Sequence, residues 1–201
     1  WLHIRHLRLE GQKMSKSLGN TVSVGELLAR GNEPAAIRHQ LLSAQYRKEL
    51  NFTLDGLEAS GRAVQRLVDF LARLDSIRGG SAHDATQARV ATARAEFGAM
   101  LEQDLNTAGA LGVLFDLVRA LNSAIDAGEM GEPDAAIIRA AFDDIDRVLG
   151  ELALRRAEDA EAAVPAEEEE RLIAERRAAR SRRVPEPTAR KVRGKRSSAS
   201  M

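Results

Sequence analysis

Apolar side chains recur at helical spacing through the middle of this 201-residue chain, and this repeat limits its fold more than any other feature. Within each stretch they are separated by one, three, four or seven residues, which places them on one face of an α-helix. The four stretches are Val64, Leu67, Val68, Leu71 and Leu74; Val90, Phe97, Met100 and Leu101; Leu111, Leu114, Phe115, Val118, Leu121 and Ile125; and Ile138, Ala141, Ile145, Val148, Leu149 and Leu152. Short connections join them, so the sequence predicts an antiparallel helical bundle over residues 55–155.

Composition supports a helical protein with an aliphatic core. Only 3% of residues are aromatic, whereas 44% are hydrophobic and 30% are charged. The absence of cysteine excludes disulfides and thiolate metal ligands. The four histidines, His3, His6, His39 and His83, have no zinc-site spacing, so no metal ligands are predicted. No apolar run approaches the roughly 20 residues that span a bilayer, and we expect a soluble, cytoplasmic protein without a membrane partner.

The first 54 residues have a mixed pattern. Residues 4–10 alternate as in a β-strand, Gly11 turns the chain, and residues 12–22 are predicted to be loop. Short helices are predicted at 24–30 and about 34–45, the second with Asn32 as N-cap and with Ile37, Leu41 and Leu42 on one face. Residues 46–53 are predicted to be an ordered connector that ends in a helix-capping Thr53.

The apolar period fades after about residue 155. Residues 156–180 are predicted to form a charged linker and one exposed helix, which carries Leu172 and Ile173. Residues 181–201 contain two prolines, many Arg and Lys residues and no aromatic residue. They cannot bury enough apolar surface to order themselves, so a disordered basic tail is predicted there.

The stretch KMSKSLGN, residues 13–20, has almost nothing to bury and presents Lys13 and Lys16 on a segment of small residues. Flexible lysine ammonium groups suit an anion that is held for part of a cycle, such as a triphosphate. A lysine delivered as charge builds on the phosphate oxygens stabilises a transition state more than a ground state. For an isolated Lys-x-x-Lys pair, a solvated basic turn is the commoner explanation.

The full string changes that balance, because KMSKS followed by LGN resembles the signature loop of class I aminoacyl-tRNA synthetases. The flanking sequences HLRLEGQKMSKSLGN and LLSAQYRKELNFT, with EQDLNTAGALGVLFDLVRALN at 102–122 and LIAERRAAR at 172–180, resemble the bacterial cysteinyl-tRNA synthetase family. The resemblance runs to about residue 180. The chain does not begin with methionine, and we expect it to be the carboxy-terminal piece of such an enzyme.

The resemblance implies a mainly α chain: the end of a class I, Rossmann-type catalytic domain with the signature loop and stem-contact region over 1–54, then an antiparallel helical bundle that supports tRNA binding. It implies a ligase that joins cysteine to tRNA(Cys) with ATP through cysteinyl-adenylate, and we expect a monomer. Lys13, Met14, Ser15, Lys16 and Ser17 would bind ATP, and Lys16 and Lys13 would act in catalysis. The family's zinc is expected in the full-length enzyme, but its ligands are absent here, and we expect the piece alone to be inactive.

Two alternatives stay open at this stage. A relative that ligates cysteine in mycothiol synthesis would share the lysine loop, although the bundle at 55–155 argues against it. A noncatalytic RNA-binding or scaffold protein could retain the bundle. Arg47 and Lys48 fit either an RNA contact or a solvated connector, and Asn106 and Thr107 are expected to cap the third bundle helix.

Overall fold

The computed structural model describes residues 1, 3–162 and 171, and its first compact unit is Trp1–Glu161. Within these described residues, three strands, β1 to β3, and seven α-helices, α1 to α7, follow in chain order. The strands are Leu7–Leu9, Gln12–Lys13 and Leu50–Phe52, and the helices are Val24–Ala29, Pro34–Leu42, Leu54–Asp75, Asp84–Glu102, Thr107–Asp126, Glu132–Leu149 and Glu151–Ala162. The mainly helical architecture is confirmed. The predicted tail at 181–201, and all but Arg171 of the predicted helix at 167–180, lie outside the described residues.

The sheet that precedes the lysine loop is small and mixed. Strand β1 pairs antiparallel with β2 and parallel with β3, so β1 is central. The hairpin between β1 and β2 turns at Glu10 and Gly11, which both have positive φ, as a tight two-residue hairpin requires. The predicted strand at 4–10 is thus realised only over Leu7–Leu9. The predicted connector at 46–53 contains β3, a strand that the spacing of its apolar residues does not reveal.

A small apolar core lies under this sheet. Phe52 of β3 packs there with Leu27 of α1, Ala36 and Ile37 of α2 and Leu57 of α3. The predicted apolar face of α2 is wrong in part, because Leu41 is 45% exposed while Ala36 and Ile37 are buried. The helix is surrounded on several sides, so its small and polar residues are also buried and no single apolar stripe marks its inner face.

The ends of α1 and α2 differ from the prediction at Asn32. This residue does not cap α2, whose N-cap is Glu33. Instead the Asn32 side-chain amide donates a hydrogen bond to the Leu27 carbonyl and closes the end of α1. Thr53 does cap α3 as predicted, since its hydroxyl accepts a hydrogen bond from the Gly56 amide.

The larger core lies between helices α3, α4, α5 and α6, as the apolar repeats predict. Its fully buried members include Leu67, Leu74, Leu114, Leu121 and Ile138. Two aromatic residues outside the predicted stripes, Phe70 and Phe142, also lie there with ring centroids 5.2 Å apart. Conversely, Val148 is 52% exposed, and the predicted stripe of α6 is wrong at that position. Phe115 is only half-buried.

By length and composition, α5 is a helix that could cross a bilayer, the single such helix in the part of the chain that the structure describes. The sequence analysis predicts no apolar run long enough to span a bilayer, and that prediction misses α5. Its apolar residues pack against the other bundle helices, with Leu111, Leu114, Leu117, Val118 and Leu121 buried. A core helix passes the same test of length and hydropathy.

The loop between α3 and α4 is fastened to the start of α6. The buried Asp134 carboxylate accepts hydrogen bonds from the His83 and Gly131 amides, at 3.0 Å each, and lies 2.8 Å from the His83 ring. Burial alone would raise the pKa of Asp134, but these hydrogen bonds together outweigh burial, and its pKa lies below the ordinary value. Asp134 therefore stays ionised and holds the loop at neutral pH.

Replacing Phe142 with alanine is expected to destabilise the bundle strongly. Phe142 is 1% exposed, and removing a buried aromatic side chain costs about 3–5 kcal/mol. Phe115→Ala removes the same ring from a half-buried position and is expected to cost clearly less. Chemical denaturation of the two variants beside the unaltered chain measures the difference. If both variants lose the same free energy of unfolding, the difference in exposure of the two rings does not determine the cost of removing them.

Gly131 is expected to tolerate no side chain. A Cβ there would overlap the Ser81 carbonyl oxygen and stand 2.9 Å from the Gly80 carbonyl carbon. Because both are backbone atoms, Gly131→Ala forces the two loops apart, and such overpacking costs about 1–3 kcal/mol. Gly112 in α5 has nothing within 4 Å of the added Cβ, so Gly112→Ala is the matched control and should stabilise by about 0.5–1 kcal/mol. A Gly131→Ala protein as stable as the original would contradict this close packing.

Candidate nucleotide-loop site

The lysine loop leaves the sheet at β2 and is ordered by its own backbone. Lys13 ends β2, and Lys16–Leu18 form a single 3-10 turn. The Ser15 hydroxyl caps that turn by accepting from the Leu18 amide at 3.3 Å, and it lies 3.1 Å from the Ser17 hydroxyl. Gly19 ends the turn with φ of 63°, a left-handed conformation that glycine adopts without strain.

Asn20 holds the two ends of this loop together. Its side-chain oxygen accepts from the Ser15 amide at 2.9 Å, and its side-chain nitrogen donates to the Lys13 carbonyl at 3.0 Å. One side chain thus satisfies a donor and an acceptor that no strand or helix ladder pairs. The loop residues predicted from the sequence end at Ser17, and Asn20 is not among them. An amide side chain just after a Gly turn was the available signal, since Asn commonly bonds nearby backbone groups.

The structure brings the predicted loop residues together but leaves their charged ends free. Lys13, Lys16 and Ser17 are exposed, while Met14 and Ser15 are half-buried. Among the described residues, neither Lys13 nor Lys16 has an acidic side chain within ion-pair distance. The two ammonium groups are therefore available to an external anion, on a backbone fixed by Asn20.

A groove of about 280 Å³ lies on the side of the loop that faces α1 and the sheet. Its lining includes Gly19, Asn20 and Thr21 from the loop and Leu9, Phe52 and Leu27 from the small core. Two charged residues, Glu10 and Arg30, lie at its edge. Glu10 is already committed, since its carboxylate accepts from the Leu54 amide at 2.9 Å at the start of α3.

The connector before β3 is pinned to the turn between α4 and α5. The Tyr46 hydroxyl donates to Asp104 at 2.5 Å, and Arg47 lies 2.6 Å from the same carboxylate. The hydrogen bond with Tyr46 and the charge of Asp104 raise the pKa of Arg47 above its ordinary value. Arg47 thus has an intramolecular partner, whereas Lys48 is exposed and unpaired in the described part of the chain.

The capping role predicted for Asn106 is confirmed, and Thr107 does something different. The Asn106 side chain accepts from the Gly109 amide at 3.1 Å and caps α5. The Thr107 hydroxyl donates at 2.7 Å to the Leu42 carbonyl, so it joins α5 to the end of α2. Asp104 and Leu105 both have positive φ just before this cap.

The residues present do not fit the zinc site that the resemblance implied for a full-length enzyme. The sequence has no cysteine, and the described residues contain no group of three His, Asp or Glu side chains placed to hold a metal. His3 and His6 are exposed and lie before β1.

Comparison with known proteins decides the family. Residues 1–62 match the model for the class I (C) tRNA synthetase catalytic domain, and residues 96–153 match the model for the DALR domain. The cysteine–tRNA ligase of Solibacter usitatus is 49% identical over 153 residues, which cover 74% of this chain and 33% of that protein. The chain belongs to the cysteine–tRNA ligase family.

Two further relatives agree with this assignment. The cysteine–tRNA ligases of Koribacter versatilis and Chlamydia caviae are 42% and 41% identical over 153 residues, covering 76% and 75% of this chain. The chain spans about a third of the length of the curated cysteine–tRNA ligases it matches. The resemblance inferred from the lysine loop is confirmed. The lysine loop falls within the matched catalytic-domain segment, and α5 and α6 fall within the matched DALR segment.

Asn20→Ala is expected to loosen the lysine loop without unfolding the chain. Each of its two hydrogen bonds contributes about 0.5–1.5 kcal/mol, so trypsin cleavage after Lys13 and Lys16 should accelerate roughly tenfold. Thr21→Ala is the matched control, because Thr21 is the exposed neighbour and its hydroxyl bonds no described residue. Identical cleavage rates in the Asn20→Ala protein and the unaltered chain would mean that Asn20 does not hold the loop.

Proposed function

We propose that the chain supplies the ATP-phosphate loop and a tRNA-supporting bundle to an enzyme that ligates cysteine to tRNA(Cys). The reaction would pass through cysteinyl-adenylate, with ATP and cysteine as the other substrates. Family membership supports this substrate class. The single observation that carries the role of the loop is the pair of free ammonium groups, Lys13 and Lys16, on a backbone braced by Asn20.

Lys16 is the residue we assign to the transition state. It begins the 3-10 turn, so its position is fixed by the Ser15 cap and by the hydrogen bond from the Gly19 amide to its carbonyl. As cysteine attacks the α-phosphorus, charge grows on the phosphate oxygens, and an ammonium group held nearby stabilises that charge. Lys13 lies at the strand end, where we assign it to ATP binding and a lesser catalytic part. Met14, Ser15 and Ser17 form the rest of the ATP-binding loop.

The charge distribution supports RNA contact at the loop end of the unit more directly than along the bundle. Most arginines of the bundle already have acidic partners, as in the pairs Arg73–Asp126, Arg94–Asp144 and Arg139–Asp75. By contrast, Arg5 and Lys48 are exposed and lack an acidic partner among the described residues. We assign the bundle a supporting role in tRNA binding. We also propose that the enzyme is monomeric and cytoplasmic.

The proposal is tested in a chimaera in which the aligned segment of this chain replaces that of the Solibacter usitatus ligase. The chimaera should charge tRNA with cysteine and catalyse cysteine-dependent exchange of pyrophosphate into ATP. Lys16→Ala should lower the exchange rate about 10²-fold or more, since losing a transition-state contact has that effect, while the KM for cysteine stays unchanged. Lys13→Ala should have a smaller effect on the rate or raise the KM for ATP.

Lys48→Ala is the control for the loss of one exposed lysine. It should leave pyrophosphate exchange unaltered, because Lys48 lies outside the loop. If Lys16→Ala weakens cysteine binding at a normal rate, the role assigned to Lys16 is wrong. A chimaera that binds tRNA but never activates cysteine would instead favour the noncatalytic RNA-binding alternative.

A further inference from the structure

Helix α7 is attached to the rest of the unit chiefly by polar side chains. Among the α7 residues whose burial the structure describes, Leu152, in the first turn, is the one in the bundle core. The helix begins where Asp146 accepts from the Leu152 and Ala153 amides at 2.8 Å each. Beyond that turn, Arg155, Arg156 and Glu158 make polar contacts with other parts of the unit.

Two of these polar contacts are made to the start of α2. The Arg155 guanidinium lies 2.6 Å from Glu33, the N-cap residue of α2, and its side chain is only 17% exposed. The hydrogen bond with Glu33 raises the pKa of Arg155. One turn further, the Glu158 carboxylate accepts from the Ala35 amide at 2.8 Å.

This last contact replaces a missing local cap. Glu33 makes no side-chain hydrogen bond to the first turn of α2, and Pro34 has no amide to donate. The Ala35 amide is therefore one of the donors that the start of a helix leaves unpaired. A carboxylate 123 residues away in sequence satisfies it, and the positive end of the helix dipole favours that charge.

A second pair of contacts ties α2 to the turn that begins α7. The buried His39 ring lies 3.0 Å from the Glu151 carboxylate, which is also buried. Arg38 donates to the Leu149 carbonyl at the end of α6. Thus α2 is held by α7 at its first turn and by the α6–α7 junction at its middle.

The opposite side of α2 supports the lysine loop. Ala36 and Ile37 are buried against Phe52 of β3, and Leu7 and Leu9 of β1 pack on the same core. Strand β1 pairs with β2, which ends at Lys13. A shift of α2 would therefore move the sheet from which the loop leaves.

We propose that α7 is a polar strap whose contacts with the start of α2 position that helix, and through it the lysine loop. Arg155 and Glu158 are then positioning residues that touch no substrate. The strap itself is a property of the fold, and its effect on the reaction rests on the proposed function. Because charged contacts fasten it, the strap should open locally, before the bundle unfolds.

Hydrogen exchange of the full 201-residue chain tests the strap directly. Arg155→Ala and Glu158→Ala should each raise exchange of the α2 and α7 amides roughly tenfold, as the loss of a hydrogen bond to a charged group does. Exchange in α5 should stay within about twofold of the unaltered chain. Arg156→Ala is the matched control, because Arg156 lies on the same helix but pairs with Asp143 of α6, at 3.2 Å.

Two results of this experiment overturn the strap. Unchanged exchange in α2 would show that α7 does not hold that helix. An equal rise in α5 would show that α7 is part of the global folding unit and does not open by itself. Glu158→Gln adds a conservative test, since its amide oxygen can still accept from the Ala35 amide. It should restore most of the protection, and a Gln variant as unprotected as the Ala variant overturns the capping contact.

The chimaera tests the positioning role. Arg155→Ala should lower the rate of pyrophosphate exchange about three- to tenfold at unchanged KM for cysteine, and Arg156→Ala should leave the rate unaltered. If exchange in α2 rises but the reaction rate does not fall, the strap exists and its positioning role is wrong. Failure of the proposed function gives a different result, because Lys16→Ala would then also leave the rate unchanged.

Discussion

Helix α2 is buried on two sides, and this constraint connects the two cores of the unit. One side presents Ala36 and Ile37 to the small core beneath the sheet. The other presents His39 to Glu151. A nine-residue helix has little stability of its own, so α2 depends on being packed from both sides. The loop segment and the bundle are consequently parts of one compact unit.

This double burial explains why the inner face of α2 was predicted only in part. The sequence favoured Ile37, Leu41 and Leu42, because apolar residues at helical spacing normally mark the inner face. In the structure Leu41 is exposed, while His39 and Gln40 are buried with hydrogen-bond partners. Those partners, Glu151 and the Thr53 carbonyl, come from elsewhere in the chain. A periodicity argument has no access to such pairings.

The bundle was more predictable because each of its helices has one core and one solvent side. Val64, Leu67, Leu71 and Leu74 are all buried as their spacing predicts. The errors include Phe70, Phe142 and Leu117, which lie in the core outside the predicted stripes, and Val148, which lies outside the core. A ring reaches further than an aliphatic side chain and can enter the core from beside the stripe. At the site, the string KMSKS predicted the loop, but the brace by Asn20 required the folded backbone.

The fold also determines which positively charged side chains remain without an acidic partner. The bundle helices run side by side, so an arginine on one helix pairs with an aspartate on a neighbouring helix. Arg73 pairs with Asp126 in this way, and Arg94 pairs with Asp144. Among the described residues the lysine loop has no such partner, because it leaves the edge of the sheet, and Glu10, which lines the groove beside it, is bonded to the Leu54 amide. Positive charge is therefore largely neutralised along the bundle and kept at Lys13 and Lys16. An anionic ligand would meet that charge without first breaking an internal ion pair, so the cost of breaking one would not be subtracted from its binding energy.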